Sequence, residues 1–378
     1  MLIKRYLHPF LIKDLQKKMV FLGGPRQCGK TTLGQRVIED FPYARSKQGL
    51  YLNWDDDDHR RRILKREWSD QDELILLDEL HKFHRWKNWL KGTYDTTKDK
   101  HRYFVTGSAR LDVYRRGGDS LLGRYHYWRL HPFTLSESIP GITPKECFKR
   151  LMTVGGFPEP FLDANEQESK RWRRERIERV IKDDIRDLEQ LHNISALSLF
   201  VDALRQRVGG QIVLSNLEED LQVSQKTLKR WLTVLENMYL LFIVRPFTTR
   251  LPRAIQKPPK VYFFDNGDVV GDESQRFENL VANHLLKQIH FLEDSTGERF
   301  ELRYIRDKEG REVDFVIIRE GKVEILVEAK LSDSKIHQPL RYYAERLNPK
   351  KAVQIVAHLP SSFNKGKLFV EDPFKAFQ

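Results

Sequence analysis

The segment Gly24-Pro-Arg-Gln-Cys-Gly-Lys-Thr31, preceded by the apolar run "MVFLG" and followed by a stretch of helical character, constrains this chain more than any other feature. It fits the pattern G-x-x-x-x-G-K-[ST] at every required position. Glycines let the backbone curl so that successive N–H groups converge at the start of the next helix, where unpaired donors and the helix dipole favour an anion. Gly24, Pro25, Arg26, Gln27, Cys28, Gly29, Lys30, Thr31 and Thr32 are therefore expected to cradle the phosphates of ATP. In that cradle Lys30 reaches the β- and γ-phosphates and the Thr31 hydroxyl ligates Mg²⁺.

A strand–loop–helix of this kind needs a parallel sheet behind it, and the flanking pattern supplies one. Short apolar runs, "LYLNW" (50–54), "LILLDE" (74–79) and "RYFVTGS" (102–108), alternate with helix-length segments. The second of these ends in Asp78-Glu79. Asp78 is expected to hold Mg²⁺ through water, and Glu79 to orient and deprotonate the attacking water. An acidic pair after an apolar strand also serves as a helix N-cap, but its company with the phosphate loop favours catalysis. Ser108, with Thr106 close behind, suits a sensor of the γ-phosphate, and Arg110 and Arg124 are candidates for transition-state charge. The run "WDDDDHRRR" (54–62) has the wrong spacing for a Ca²⁺ loop and reads as a solvated turn after the second strand.

Residues 18–137 resemble the AAA-type branch of P-loop ATPases. The segments "TGSAR", "LLGRYHYWRLHPFTLSE" and "VGGFPEP" are similar to a bacterial and archaeal family that joins this ATPase to a C-terminal domain of uncertain function. The resemblance implies nucleotide hydrolysis. No clear arginine-finger motif accompanies it, so a ring assembly is not implied and the oligomeric state stays open.

Proline and glycine cluster in "SIPGITP" and "VGGFPEPF", and again in "IQKPPK", which sets an expected division into 1–140, 141–255 and 256–378. Lys plus Arg total 66 against 54 Asp plus Glu, a net charge of +12 that points to a nucleic-acid partner, DNA ahead of RNA, rather than a membrane. No apolar run approaches the ~20 residues of a membrane span. With only two cysteines there is no disulfide framework, and a cytoplasmic location is expected.

In the middle segment, "LSNLEEDLQVSQKTLKRWLTVLE" (214–236) reads as helix, short turn and helix. Leu217, Leu221, Leu228, Trp231, Leu232 and Leu235 recur at helical spacing, and Ser224 is placed to cap the second helix. Its outward positions carry Lys226, Lys229 and Arg230, matching a helix-turn-helix of winged-helix type that offers basic groups to a duplex. The same fold also docks proteins or acts as a lid. Upstream, "KRWRRERIERVIKDDIRDL" (170–188) reads as a charged helix face.

The terminal stretch "EVDFVIIREGKVEILVEAK" (312–330) reads as a β-hairpin. A three-residue loop, Glu320 to Lys322, pairs Arg319 with Val323 and sets Asp314 opposite Glu328, with Cβ atoms about 5 Å apart. Lys330 projects from the same face. Two carboxylates can hold a Mg²⁺ that polarises a phosphodiester, while the lysine orients water or stabilises the growing charge. The expected order is a helix at 274–290, strands at 300–306, 311–319 and 323–330, a helix at 336–347 and a strand at 351–358. That order, with Asp314 and Glu328-Ala329-Lys330 on adjacent strands, resembles the PD-(D/E)xK nuclease core, although Val313 stands where proline is usual. The resemblance implies Glu278 as a further metal carboxylate.

The expected fold class is α/β: an AAA-type P-loop parallel sheet with helices, a helical or winged-helix middle domain and an α/β nuclease-like C-terminal domain. The expected function is ATP binding and hydrolysis acting on nucleic acid, with Mg²⁺-dependent nuclease activity in the C-terminal domain. One alternative is an ATPase switch whose C-terminal domain is a catalytically inactive partner-binding module. Another is a non-enzymatic DNA-binding regulator in which the nucleotide only stabilises the fold.

Overall fold

The computed structural model describes residues 3–107, 121–185, 193–248, 258–333 and 335–377. The chain divides into two compact units, Met1–His131 and Pro132–Gln378. Among the described residues no helix is long and apolar enough to cross a membrane.

The first unit is built on β1 (Met19–Gly23), β2 (Gln48–Asn53), β3 (Asp72–Asp78), β4 (Arg102–Thr106) and β5 (Tyr125–Arg129), with helices α1 (His8–Leu15), α2 (Lys30–Asp40), α3 (Asp57–Lys65) and α4 (Trp86–Thr97). The strand order is β2-β3-β4-β1-β5, and every neighbouring pair is parallel. Strands covered on both faces read as continuous apolar runs, which is why β1 and β3 were legible from composition. β5 was not. Its sequence "YHYWR" mixes polar and aromatic residues, and only its pairing along β1, from Met19 with Tyr125 to Gly23 with Arg129, makes it a strand. Met19, Phe21, Leu52, Ile75, Leu77 and Val105 lie in one buried cluster that seals the sheet.

The acidic run after β2 makes the exposed turn expected over 54–56 and then starts a helix. The Asp56 side chain accepts from the His59 N–H at 2.8 Å and caps α3. Asp57 and Asp58 in the first turn and Arg62 and Lys65 in the last suit the helix dipole, so the charge pattern marks the two helix ends.

The second unit begins with α5 (Pro144–Thr153), α6 (Pro158–Asp163), α7 (Glu166–Arg179) and α8 (Ile194–Arg205). The charged face expected over 170–188 is partly interior. Arg176 is 3% exposed, pairs with Asp268 at 2.5 Å and stacks over the Phe157 ring, while buried Arg173 donates to the Val154 carbonyl at 3.2 Å. A buried carboxylate and an aromatic ring hold this cation inside the unit, and no period in the helix sequence signals them.

Next come α9 (Leu214–Leu221) and α10 (Gln225–Asn237), the helix-turn-helix read from the sequence. Ser224 accepts from the Thr227 N–H at 3.3 Å and caps α10. Leu217, Leu228, Trp231, Leu232 and Leu235 are buried, and the Trp231 ring meets Phe200 of α8 at 5.9 Å. Lys226, Lys229 and Arg230 lie on the exposed side.

An eight-stranded sheet completes the unit. Its strands are β6 (Leu241–Pro246), β7 (Lys260–Phe263), β8 (Phe300–Arg306), β9 (Glu312–Arg319), β10 (Lys322–Lys330), β11 (Lys351–Val356), β12 (Phe363–Lys365) and β13 (Leu368–Glu371), in the order β12-β13-β11-β10-β9-β8-β6-β7. Helices α11 (Glu273–Thr296) and α12 (Gln338–Leu347) flank the hairpin in sequence, as expected.

The β9–β10 hairpin departs from the expected loop. Arg319 pairs with Lys322, so the turn is the two residues Glu320 and Gly321, at φ 48 and 76. Both left-handed positions suit a tight hairpin turn. A bulge between Val323 and Ile325 then inserts Glu324, so that Ile317 pairs with Ile325 and Phe315 with Val327. One more step sets Asp314 across from Glu328. The one extra residue is thus Glu324 in a bulge rather than Lys322 in the loop, and the register beyond it is the same.

Candidate functional site

All five strands of the first unit are parallel, so the residues that follow them emerge at one edge. There the chain after β1 curls through Gly24 at φ 134 and Gly29 at φ 92. A Cβ on Gly24 would lie 2.3 Å from the Leu130 carbonyl oxygen, so only glycine fits. Cys28 is buried and its Sγ lies 3.7 Å from that same carbonyl, which anchors the underside of the loop. Arg5 donates to the Cys28 carbonyl at 3.0 Å. Lys30 opens α2, and its buried ammonium donates to the carbonyls of Gly24 at 3.2 Å and Pro25 at 2.7 Å.

Asp78, 2% exposed at the end of β3, is the hub of the edge. Thr31 Oγ1 donates to its Oδ2 at 2.8 Å and the Tyr51 hydroxyl to the same oxygen at 3.1 Å. Thr106 Oγ1, at the end of β4, donates to Oδ1. Tyr51 was not foreseen, because its only sequence signal is a place on β2 beside the β3 strand that carries Asp78. Burial, with the Asp78 charge beside it, pushes the Tyr51 phenol up to about 12, which keeps it a donor.

Glu79 follows in a left-handed backbone at φ 57, with its N–H donating to the Thr106 carbonyl at 3.0 Å. Its carboxylate lies 3.5 Å from His81 Nε2 and 3.7 Å from Lys82 Nζ. Burial raises its pKa above the usual glutamate range, against the pull of Lys30 and Lys82. The Thr31 hydroxyl and the Asp78 carboxylate are hard oxygen donors held side by side, a set that suits Mg²⁺. Ser108 and Arg110 lie outside the described residues. Arg124 is engaged by Asp95 through two bonds of 2.8 and 3.0 Å.

The second unit gathers the other candidates around the hairpin. Asp314 Oδ2 accepts from the Ala329 N–H at 3.0 Å, and Glu328 Oε2 lies 3.4 Å from the Asp314 N–H. The β8–β9 ladder slips between Arg303 and Ile305, so two β9 residues, Asp314 and Phe315, face the single residue Tyr304. A bulge at that point re-aims a side chain. Glu328 is 1% exposed, and its Oε1 lies 2.8 Å from Lys330 Nζ and 2.7 Å from His337 Nδ1. Burial works against the Glu328 charge, but His337 and Lys330 outweigh it and lower the pKa. The Asp314 carboxyl is pushed well up by burial and by Glu278 and Glu328 beside it.

Glu278 on α11 joins this group, with a partner the sequence reading did not include. Lys260, the first residue of β7, is 2% exposed and lies 2.5 Å from Glu312, 3.3 Å from Glu278 and 3.6 Å from Asp314. The Tyr262 hydroxyl also donates to Glu278 at 2.7 Å. Sequence placed Lys260 in a proline-marked joint, so nothing local pointed to it. Burial disfavours its charge, but Glu278, Asp314 and Glu312 together raise its pKa above the ordinary lysine value. Among the described residues no group of three or more His, Cys, Asp or Glu is arranged to hold a metal ion. A buried ammonium already sits against Glu278 and Asp314, two of the carboxylates expected to ligate Mg²⁺ here, so this donor set does not fit the metal.

Comparison with known proteins matches three segments of the chain. Residues 16–139 match an AAA domain, residues 145–270 a domain of unknown function (DUF8612), and residues 274–366 another (DUF4143). With the phosphate-loop geometry above, the first unit is an AAA-type P-loop domain. An uncharacterized protein of Mycobacterium tuberculosis is 24% identical over 249 residues, covering 66% of this chain and 54% of that protein. The same figures hold for one of Mycobacterium bovis, so the chain spans about half the length of these curated relatives. An uncharacterized protein of Haemophilus influenzae is 21% identical over 350 residues, covering 84% of this chain and 85% of its own. Among solved structures, a RuvB variant of Thermotoga maritima aligns at 16% identity and a TM-score of 0.32, over 68% of this chain and 95% of that one. AMPPCP-bound DnaA of Aquifex aeolicus aligns at 14% identity and 0.30, over 61% and 86%.

Proposed function

We propose that this chain binds and hydrolyses ATP and uses the cycle to act on nucleic acid, DNA ahead of RNA. The observation that carries the reading is the convergence of Thr31, Thr106 and Tyr51 on Asp78, beside Lys30 and Glu79. Loop N–H groups between Gly24 and Thr32 bind the phosphates, and Lys30 swings from its loop carbonyls onto the β- and γ-phosphates. Thr31 and Asp78 would hold Mg²⁺, which supplies charge neutralisation to the phosphate oxygens when bound. Glu79, with its raised pKa, takes the proton of the attacking water. Ser108 keeps the sensor role on sequence grounds, and Thr106 fixes the orientation of Asp78.

The division into 1–140, 141–255 and 256–378 assigns these steps to an ATPase, a DNA-gripping helix-turn-helix and a terminal module. Lys226, Lys229 and Arg230, exposed on α10, supply the phosphate contacts of the grip. For the terminal module the catalytically inactive, partner-binding reading is favoured over Mg²⁺-dependent cleavage, because the Lys260 ammonium already sits among Glu278, Glu312 and Asp314.

ATP turnover with and without duplex DNA tests the proposal. Lys30→Ala is expected to abolish nucleotide binding, and Glu79→Gln to keep binding while sharply lowering turnover. Turnover unaffected by Glu79→Gln would remove the hydrolytic assignment.

A further inference from the structure

We infer that the Lys260 ammonium is a built-in replacement for the divalent cation that an Asp–Glu–Lys hairpin of this kind would otherwise hold, leaving the C-terminal site metal-free. The inference rests on reading the terminal sheet as a nuclease-like core that does not cleave.

Three observations lead to it. First, the ammonium sits among Glu312, Glu278 and Asp314, carboxylates that come from β9 and α11, at 2.5, 3.3 and 3.6 Å. Hard divalent ions take oxygen ligands at roughly 2.0–2.6 Å and shed water to do so, and a fixed ammonium against Asp314 and Glu278 excludes that arrangement. Second, the lysine is pinned rather than swung in from solvent. The segment ahead of the helix-turn-helix bonds to its strand: Ile212 N donates to the Pro259 carbonyl at 2.8 Å and Gly209 N to the Val261 carbonyl at 3.3 Å. The Tyr304 hydroxyl donates to the Pro258 carbonyl at 2.6 Å, and the Tyr304 ring lies 5.6 Å from the ammonium. Third, Glu312 and Glu328 have further cationic partners. Arg306 lies 2.7 Å from Glu312, and Lys330 and His337 hold Glu328. Four carboxylates thus face side-chain cations and donors supplied by the chain itself, and the site needs no ion from solution.

The test is Mn²⁺ binding, read from the loss of the free-ion EPR signal with no nucleotide present. Every protein carries Asp78→Asn so that the ATPase edge stays silent. The chain with Lys260 intact is expected to retain no Mn²⁺. Lys260→Met keeps the apolar stem and removes the charge, and is expected to gain one site at roughly tenfold or more tighter affinity, lost again on adding Asp314→Asn. Lys260→Gln serves should the methionine variant fail to fold. Metal gain without DNA cutting supports the inference. Asp314-dependent Mn²⁺ binding with Lys260 intact overturns it. Failure of both folded Lys260 variants to gain a site overturns it while leaving the non-cleaving reading in place. Mn²⁺- and Asp314-dependent cutting by the chain with Lys260 intact overturns both.

Discussion

Thr31 Oγ1 and Asp78 Oδ2 lie 2.8 Å apart, although 47 positions separate them in the chain. The bond ties the first turn of α2 to the end of β3, so the residue expected to touch the metal and the residue expected to orient its water are held by each other before any nucleotide arrives.

Asp78→Asn should be more damaging than its size suggests. An amide offers one acceptor oxygen where the carboxylate offers two, and Thr31, Tyr51 and Thr106 all donate to that carboxylate. Stability should fall by about 1–3 kcal/mol as a buried donor loses its acceptor. A fluorescent-nucleotide titration should show Mg²⁺-dependent affinity lost while the metal-free affinity changes little.

Glu79→Gln should lower turnover by about 10²–10⁴-fold, the usual worth of a positioned base. Because burial raises the Glu79 pKa, the carboxylate is protonated and inactive at pH values where an ordinary glutamate is already charged. The acid limb of the turnover profile should therefore lie above the usual glutamate value of about 4.3. A limb at or below that value would contradict the assignment, and the limb should vanish in the glutamine variant's residual activity.

Gly24→Ala places a Cβ 2.3 Å from the Leu130 carbonyl on a backbone at φ 134. Strain of about 1–3 kcal/mol is expected, and the loop should move rather than the strand beneath it. Nucleotide affinity should drop by more than thermal stability does, which calorimetry and titration on the same sample will separate.

Replacing Lys226, Lys229 and Arg230 with alanine should leave the melting temperature nearly unchanged, since all three are exposed on α10. Affinity for duplex DNA should fall across sequences, and the slope of log K against log salt should shrink by about 1 for each phosphate contact removed. A protein that binds DNA with its salt slope intact would move the grip elsewhere.

The P-loop edge was largely legible because its chemistry is written locally. The glycine spacing around Lys30 and the acidic pair closing an apolar strand each lie within a few residues, and parallel topology brings them together. Tyr51 and β5 were not legible, because a lone tyrosine in a strand and a polar-aromatic edge segment gain meaning only from the strands beside them. The two helices over 214–237 and the Ser224 cap follow the sequence reading, although Leu221 is only half-buried, since helical period and capping are short-range rules.

The hairpin divides the two kinds of knowledge most clearly. Sequence determined that 312–330 folds back on itself around Gly321 and that Asp314 and Glu328 can share a face, because alternation has a period of two. Only tertiary structure decided that the extra residue sits in a bulge at Glu324 and that Lys260, more than 50 positions from Asp314, arrives among the carboxylates. Local patterns report what a segment buries. They cannot report which distant charge will be buried beside it, because that depends on where a strand from another part of the chain is laid.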